Sequence, residues 1–255
     1  MSRRKVLITG ATGDIGNVLA EGLAEDYELV LQGRHPDESD PEGIVIADVA
    51  HYEDAEKLMD GVDTVVHMAG SASPESSWED VLEANIIGLR NTLEAARAKG
   101  VRRFVYASSN HAMGMYDRDE EWPVYPHMLP RPDSLYGVSK VFGETMGRFY
   151  HDKYGIDFIA LRIGWSAQDS KGADVDLLRA MWLSHDDTVQ VVKCAIEAEV
   201  TFGLYYAISD NPNRRWDMTN TMLELGYRPK DTFTEHSDVP ENPDEPTPAN
   251  WPEDS

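Results

Sequence analysis

The chain has 255 residues, of which 46 are acidic and 23 are Lys or Arg, so its formal net charge is −23. A surface this acidic repels polyanions, which excludes nucleic acid and anionic membranes as expected partners. The length suits one large α/β domain with a small appended lobe.

The acidic excess is spread along the whole chain rather than confined to one tail. This pattern favours adaptation to high salt, because a Debye length of about 3 Å at 1 M relieves self-repulsion. An acidic enzyme from a low-salt environment is the alternative. Adaptation to salt predicts that potassium chloride raises the unfolding midpoint.

The single cysteine, Cys194, excludes an internal disulfide and a thiolate metal cluster. Its apolar neighbours, Val191 to Ile196, favour a buried structural thiol over a nucleophile. No apolar run approaches the roughly 18 residues of a membrane span, and Met1 leads almost directly into a strand. We therefore expect a soluble, cytoplasmic protein.

A glycine-rich loop follows the first predicted strand, 5–8. It has the pattern G-x-x-G-x-x-G and opens onto a helix predicted over 17–25. Glycines let the backbone approach a pyrophosphate, whose charge then faces the amides of a helix N-terminus. This context favours a dinucleotide site over a purely structural turn. The expected contacts are Gly10, Gly13, Asp14, Ile15 and Gly16.

The second predicted strand, 28–31, leads to Arg34, where the adenosine ribose of a dinucleotide is expected. An acidic residue at this place accepts bonds from a free 2′-hydroxyl, whereas an arginine suits a 2′-phosphate. The first carboxylate after Arg34 is Asp37, beyond a proline. The sequence therefore favours NADP over NAD. The alternative is that Arg34 stacks on the adenine or points to solvent.

Further cofactor contacts are expected after the third and fourth strands, predicted over 43–47 and 63–67. Asp48 and Val49 would meet the adenine edge. Small residues after the fourth strand allow backbone to pass close to the cofactor, which adds Met68, Ala69 and Gly70. His67 lies within an apolar strand, and no partner falls at metal-ligand spacing near it. We therefore interpret it as a core histidine and predict no metal site.

The segment Ser108-Ser109-Asn110-His111 follows the fifth predicted strand, 101–107. Tyr136 and Lys140 lie four positions apart on a helix predicted over 134–154, so they share one face about 5–6 Å apart. Lys140 is expected to lower the phenol's pKa from its usual value of about 10. Such a pair also occurs on ordinary surface helices, but its position after the serines favours proton abstraction from an alcohol carbon as hydride leaves.

Other predicted elements are helices at 51–59, 78–99, 177–182, from 184 onward and at 218–225, and strands at 156–162 and 204–208. The alternation predicts an α/β fold with a doubly wound parallel sheet. We divide the chain into a dinucleotide-binding core (1–164), a small substrate lobe (165–231) and a disordered acidic, proline-rich tail (232–255). The loop from 111 to 132 is expected to form a wall over the substrate. Asn85, within the helix at 78–99, would face the active site or bond backbone.

These motifs, with the segment 182–187, resemble the extended short-chain dehydrogenase/reductases. Within that family the chain looks most like the uronate dehydrogenases and the haloarchaeal sugar dehydrogenases, from residue 5 to about 231. The resemblance implies a Rossmann fold and oxidation of a cyclic aldose at C1 to its lactone. It also implies a homodimer or homotetramer formed through the helices at 78–99 and 134–154.

The resemblance assigns a role to each matching position. Ser109, Tyr136 and Lys140 would be the catalytic triad, with Tyr136, Lys140 and Ile163 also contacting the cofactor. The sugar hydroxyls would be contacted by Ser109, Tyr136, Asn110, His111 and, from the opposite loop, Ser71 or Ser73.

Two departures from the family pattern bear on cofactor and substrate. Relatives carry an acidic residue where this chain has Arg34. Relatives that act on anionic sugars carry an arginine where this chain has Leu177, so a charge-assisted contact worth roughly 1.5–3 kcal/mol is lost. This favours a neutral aldose such as L-arabinose, D-galactose or D-xylose, unless Arg179 reaches the same place.

Three alternatives remain open. The first is an NAD-dependent uronate or glucose-6-phosphate dehydrogenase. The second is a sugar-nucleotide epimerase or dehydratase, which usually needs a larger C-terminal lobe. The third is a redox-sensing NADP-binding regulator, which would not require the Ser109, Tyr136 and Lys140 set.

Overall fold

Strands and helices alternate along the chain, as the sequence predicts. The computed structural model describes residues 3–35, 43–170, 172 and 175–233. The strands of the central sheet are β1 (Lys5–Thr9), β2 (Glu28–Gly33), β3 (Ile44–Ile46), β4 (Thr64–His67), β5 (Arg103–Ser109), β6 (Asp157–Ile163) and β9 (Phe202–Ala207). Two short strands, β7 (Trp165–Ser166) and β8 (Trp182–Leu183), form a separate parallel pair.

The central sheet is parallel and has the order β3-β2-β1-β4-β5-β6-β9. The order reverses between β1 and β4, and in open α/β sheets ligands bind at the carboxyl ends of the strands beside such a reversal. The doubly wound Rossmann fold is confirmed. The sheet does not end at residue 164, because β9 of the predicted substrate lobe pairs with β6.

The α-helices are α1 (Asp14–Gly22), α2 (Tyr52–Leu58), α3 (Trp78–Asp80), α4 (Leu89–Lys99), α5 (Gly114–Arg118), α6 (Leu135–Tyr154), α7 (Asp176–Met181), α8 (His185–Glu197) and α9 (Thr219–Glu224). Buried apolar residues from these helices and the sheet form one cluster on each face of the sheet. None of the described helices is long and apolar enough to cross a membrane.

The prediction of one uninterrupted α-helix over 78–99 is wrong. A π-helical segment, Val81–Gly88, separates α3 from α4. π-turns inside helices commonly occur at functional sites, and this one carries the buried Asn85. The predicted end of this helical region at residue 99 is confirmed, because Gly100 caps α4 in the left-handed conformation at φ 72°.

The predicted loop from 111 to 132 also contains helical structure. A 3₁₀ turn, Asn110–Met113, runs directly into α5. It begins where Ser109 Oγ accepts a hydrogen bond from the amide of His111, which starts a helical turn immediately after β5.

The C-terminal part of the described chain is held by the buried carboxylate of Asp187. It accepts hydrogen bonds from Ser209 Oγ at 2.7 Å and from the amides of Lys230 at 2.9 Å and Asp231 at 3.1 Å. The backbone amide of Phe233 donates a hydrogen bond to Asn211 Oδ1 at 3.1 Å. Residues 232 and 233 of the predicted tail are therefore hydrogen-bonded to the rest of the chain. Residues 234–255 of that tail lie outside the described residues.

Cys194 lies on α8 and is half-buried, whereas the sequence predicts a buried structural thiol. It packs against the core cluster, and burial raises the pKa of its thiol. A raised thiol pKa disfavours the nucleophilic thiolate.

His67 is a fully enclosed core residue with a hydrogen bond between Nδ1 and Thr9 Oγ1 at 2.9 Å. Burial, with Lys140 acting in the same direction, lowers its pKa from 6.5 to about 3. As the pH falls, His67 is therefore protonated in the unfolded chain before it is protonated in the folded protein. The stability that neutral His67 contributes above pH 6.5 is lost towards pH 3, by about 3–5 kcal/mol.

We therefore expect His67→Asn to flatten the decline of unfolding free energy across that pH range, as measured by urea unfolding. The matched control is His127→Asn, because His127 is exposed. Equal pH dependence in His67→Asn and the unmodified protein would contradict the assignment.

Candidate active site

A cleft of about 280 Å³ lies at the carboxyl ends of β1, β2 and β4. The predicted cofactor residues that line it are Gly10, Gly13, Arg34, Asp48, Val49, Met68, Ala69 and Gly70. The residues that sequence reasoning missed are Thr12, Gln32, His35, Ala50, Glu83 and Ala84. Of the remaining predicted contacts, Asp14 and Ile15 open α1, and Gly16 is buried in its first turn.

The glycine loop is built for close backbone packing. Gly10 has φ 67°, and a Cβ there would lie 2.7 Å from the amide nitrogen of Ala69. A Cβ on Gly16 would overlap the carbonyl of Gly10. The N-cap of α1 is Gly13, which has no side chain to cap the first amides, so these can serve a phosphate. The loop therefore fits a pyrophosphate.

The side chain of Gln32 connects the glycine loop to the segment after β3 at the base of the cleft. Its Oε1 accepts a hydrogen bond from the amide of Gly10 at 3.0 Å, and its Nε2 donates to the carbonyl of Ala47 at 2.6 Å. The side chain is 1% exposed, so both polar ends are satisfied internally. It holds the glycine loop in register with the segment that carries Asp48.

Ser109, Tyr136 and Lys140 converge beside this cleft. Tyr136 and Ser109 are joined by a side-chain hydrogen bond. The ammonium of Lys140 lies 5.2 Å from the ring centroid of Tyr136 and the same distance from that of Tyr106. Lys140 Nζ donates to the carbonyl of Ala107 at 2.8 Å, which fixes the lysine against β5.

The prediction that Lys140 lowers the pKa of Tyr136 is wrong for the protein alone. Burial raises the pKa of Tyr136 to about 12, against the lowering effect of the Ser109 hydrogen bond, and Asp133 raises it further. Burial also lowers the pKa of Lys140 to about 8. Desolvation is the largest cause of both shifts.

Asn85 connects the segment after β4 to α6. Its Oδ1 accepts from the amide of Ser71 at 2.7 Å, and its Nδ2 donates to the carbonyl of Ser71 and to Ser139 Oγ. A Cβ on Gly70 would lie 2.8 Å from Asn85 Oδ1. Asn85 therefore bonds backbone and also contacts the helix that carries Tyr136.

The predicted sugar contacts differ in how far their polar atoms are already engaged. His111 is half-buried, with its ring centroid 5.7 Å from that of Tyr136 in an edge-on arrangement. Asn110 is buried, and its Nδ2 contacts Met181 Sδ at 3.0 Å. Ser71 Oγ bonds Ser76 Oγ at 2.6 Å, and the exposed Ser73 accepts from the amide of Glu75. The His111 ring therefore packs directly against the Tyr136 ring.

The position of the missing arginine is apolar in the structure as well. Leu177, on α7, is half-buried and packs against the core. Arg179 lies 3.6 Å from Asp176 and 5.7 Å from the ring of Phe233. Ile163 is buried at the end of β6, in register with Ser109.

A buried ion pair lies behind the catalytic strand, and sequence reasoning missed it. Arg162 donates from Nε and Nη2 to the two oxygens of Glu144, each at 2.8 Å. Ser108 Oγ donates to the same carboxylate at 2.7 Å, and Arg162 reaches the carbonyl of Pro126 at 3.2 Å. The pair thus links β5, β6, α6 and the loop before α6.

Residues 6–165 match the NAD dependent epimerase/dehydratase family. The chain belongs to this family. Among curated relatives, it is 38% identical to NAD-dependent glucose-6-phosphate dehydrogenase of Haloferax volcanii, covering 90% of this chain and 94% of that protein. It is 37% identical to L-arabinose 1-dehydrogenase (NAD(P)(+)) of the same organism, covering 89% and 96%.

Solved structures of family members give the same picture. Uronate dehydrogenase from Agrobacterium tumefaciens is 35% identical, with a TM-score of 0.81 over 91% of this chain and 86% of that one. Glucuronic acid dehydrogenase from Chromohalobacter salexigens is 34% identical, with a TM-score of 0.82 over 90% and 85%. The resemblance stated from the motifs is confirmed: the chain belongs to the epimerase/dehydratase family, and the relatives named here are dehydrogenases of glucose 6-phosphate, L-arabinose and uronates.

Proposed function

We propose that this protein oxidises a neutral cyclic aldose at C1 to the lactone and uses NADP as the preferred hydride acceptor. The observation that carries the proposal is the convergence of Ser109, Tyr136 and Lys140 beside a glycine loop that fits a pyrophosphate. The relatives that act on L-arabinose, uronates and glucose 6-phosphate support the reaction class.

The three side chains divide the tasks of the reaction among them. Tyr136, as phenolate, takes the proton of the C1 hydroxyl, and Ser109 holds the reacting oxygen in line. When bound, the oxidised nicotinamide accepts hydride and brings a positive charge. Lys140 has ammonium protons beyond the one given to Ala107, and these suit the hydroxyls of the nicotinamide ribose. Its positive charge and that of the nicotinamide favour the phenolate against the effect of burial.

A neutral sugar is favoured by the surroundings of α7. Leu177 offers no charge, and Arg179 is engaged with Asp176 and the ring of Phe233. The alternative is an anionic sugar with NAD, as the names of the glucose-6-phosphate and uronate dehydrogenase relatives indicate. Kinetic constants for neutral aldoses, uronic acids and sugar phosphates, each with both nicotinamide cofactors, test the proposal. A strong preference for an anionic sugar would overturn the choice of substrate.

Arg34 is expected to determine the cofactor preference, because it is exposed at the rim of the cleft where a 2′-phosphate would lie. We expect Arg34→Asp to lower kcat/KM for NADP by about 10- to 100-fold relative to NAD, since a hydrogen bond to a charged group contributes about 1.5–3 kcal/mol. Arg148→Asp, on the exposed face of α6, is the control for net charge. A cofactor ratio that Arg34→Asp leaves unchanged would contradict the assignment.

A homodimer or homotetramer is proposed as the working form. Large apolar side chains are exposed on the helices that the resemblance assigns to subunit contacts. These are Trp78, Ile87, Leu135, Val138, Phe149 and Tyr154.

A further inference from the structure

His111 has a carboxylate partner, Asp133, that no motif in the sequence pairs with it. We propose that Asp133 is a positioning residue that fixes the orientation and tautomer of His111, so that Nε2 presents an acceptor to a sugar hydroxyl. The inference rests on the proposed function and deepens it.

The geometry places the carboxylate behind the imidazole. His111 Nδ1 lies 2.7 Å from Asp133 Oδ2. The Asp133 side chain is 8% exposed whereas that of His111 is 28% exposed, so the carboxylate is enclosed and the ring is more open to solvent. The imidazole meets the Tyr136 ring edge-on, at an interplanar angle of 68°. The pair is therefore anchored within the catalytic cluster.

The space for this carboxylate is built into the fold. A Cβ on Gly114 would overlap the carboxyl group of Asp133 and lie 2.8 Å from its Cβ. Gly114 has an ordinary φ of −61°, so glycine is needed there for space rather than for backbone conformation. The second oxygen, Oδ1, accepts from Ser134 Oγ at 2.9 Å, and the amide of Asp133 donates to the carbonyl of His111 at 3.4 Å.

The charge of the carboxylate determines what His111 can offer. An ionised Asp133 only accepts hydrogen bonds, so Nδ1 must carry the proton and Nε2 is left as the acceptor. The same charge acts on Tyr136, which also faces Ser109, Lys140, His111 and Tyr106. Since Asp133 raises the pKa of Tyr136, removing its charge should move the acid limb of kcat/KM to lower pH.

Steady-state kinetics of Asp133→Asn test the inference. An amide donates as readily as it accepts, so the tautomer is no longer fixed. We expect KM for the sugar to rise about 5- to 10-fold, the effect of one net hydrogen bond, with a smaller change in kcat. The acid limb should move to lower pH. Gly114→Ala, which displaces the carboxylate but keeps its charge, should also raise KM. Circular dichroism and cofactor binding confirm that both variants fold.

Two controls separate positioning from a merely structural role. Asp152→Asn makes the same chemical change on an exposed part of α6 and leaves the imidazole–carboxylate bond intact, so it should leave KM and the pH profile almost unchanged. In His111→Gln, adding Asp133→Asn should have little further effect on KM, because the two residues act as one unit.

An unchanged KM and an unchanged pH profile in Asp133→Asn would overturn the inference. An equal effect of Asp152→Asn, or additive effects in the His111→Gln/Asp133→Asn double variant, would also overturn it. Failure of the proposed function is recognised separately, since the unmodified protein would then oxidise none of the neutral aldoses. The comparison of Asp133 variants then uses whichever hydroxyl substrate the unmodified protein does oxidise, so it remains decisive.

Discussion

Tyr136→Phe is expected to abolish measurable turnover, with a loss in kcat of at least about 10²- to 10⁴-fold, the usual contribution of a positioned base. Phenylalanine keeps the aromatic ring, whose centroid lies 5.2 Å from Lys140 Nζ in the unmodified protein. It removes the hydroxyl that takes the proton and that Ser109 bonds. Cofactor affinity should therefore stay close to that of the unmodified protein, as measured by fluorescence titration.

Tyr106→Phe is a closely matched control. The Tyr106 ring is buried at the same distance from Lys140, and its hydroxyl has no hydrogen-bond partner among the residues that the structure describes. Removing that hydroxyl should leave turnover nearly intact. If Tyr136→Phe retained most of its activity, or if both variants lost it equally, the assignment of Tyr136 as the base would be wrong.

Glu144→Leu is expected to lower the free energy of unfolding by about 3–5 kcal/mol, because it leaves the buried guanidinium of Arg162 without a counter-ion. The Glu144 carboxylate accepts two bonds from Arg162 and one from Ser108, and both charged side chains are at most 5% exposed. Burial lowers the pKa of Arg162 and the ion pair raises it, with a net rise, so the arginine stays charged. Urea unfolding followed by circular dichroism measures the loss.

The double variant Glu144→Leu/Arg162→Met should recover much of this loss, since replacing both members of a buried pair by apolar residues is often close to neutral. Asp152→Asn is the surface control on the same helix: it breaks the exposed pair with Arg148 and should cost less than about 1 kcal/mol. A Glu144→Leu variant as stable as Asp152→Asn would show that the buried pair does not support the fold.

The sequence predicted best what local pattern determines. The glycine loop, Tyr136 and Lys140 lie in a strand–loop–helix unit and on one helix face, so their spacing is enough to place them. The alternation of strands and helices does not reveal which strands are neighbours in the sheet. The pairing of β9 with β6, for example, depends on tertiary packing.

The parts that escaped prediction depend on contacts between distant segments. Gln32 acts through Gly10 and Ala47, and Glu144 through Ser108 and Arg162, so neither shows a motif of its own. The sequence predicts a lowered pKa for Tyr136, whereas burial raises it. Residue spacing reveals a neighbouring charge but not how deeply a side chain is buried. A buried Gln or Glu in an otherwise apolar stretch was the one available signal.

The most direct test of the central claim is the stoichiometry of reduced cofactor to sugar lactone, measured with L-arabinose and NADP. A hydride taken from C1 by the bound nicotinamide predicts one reduced cofactor released for each lactone formed, and neither product in Tyr136→Phe. Conversion of sugar without accumulation of reduced cofactor would contradict the account, because an epimerase regenerates its cofactor in every turnover.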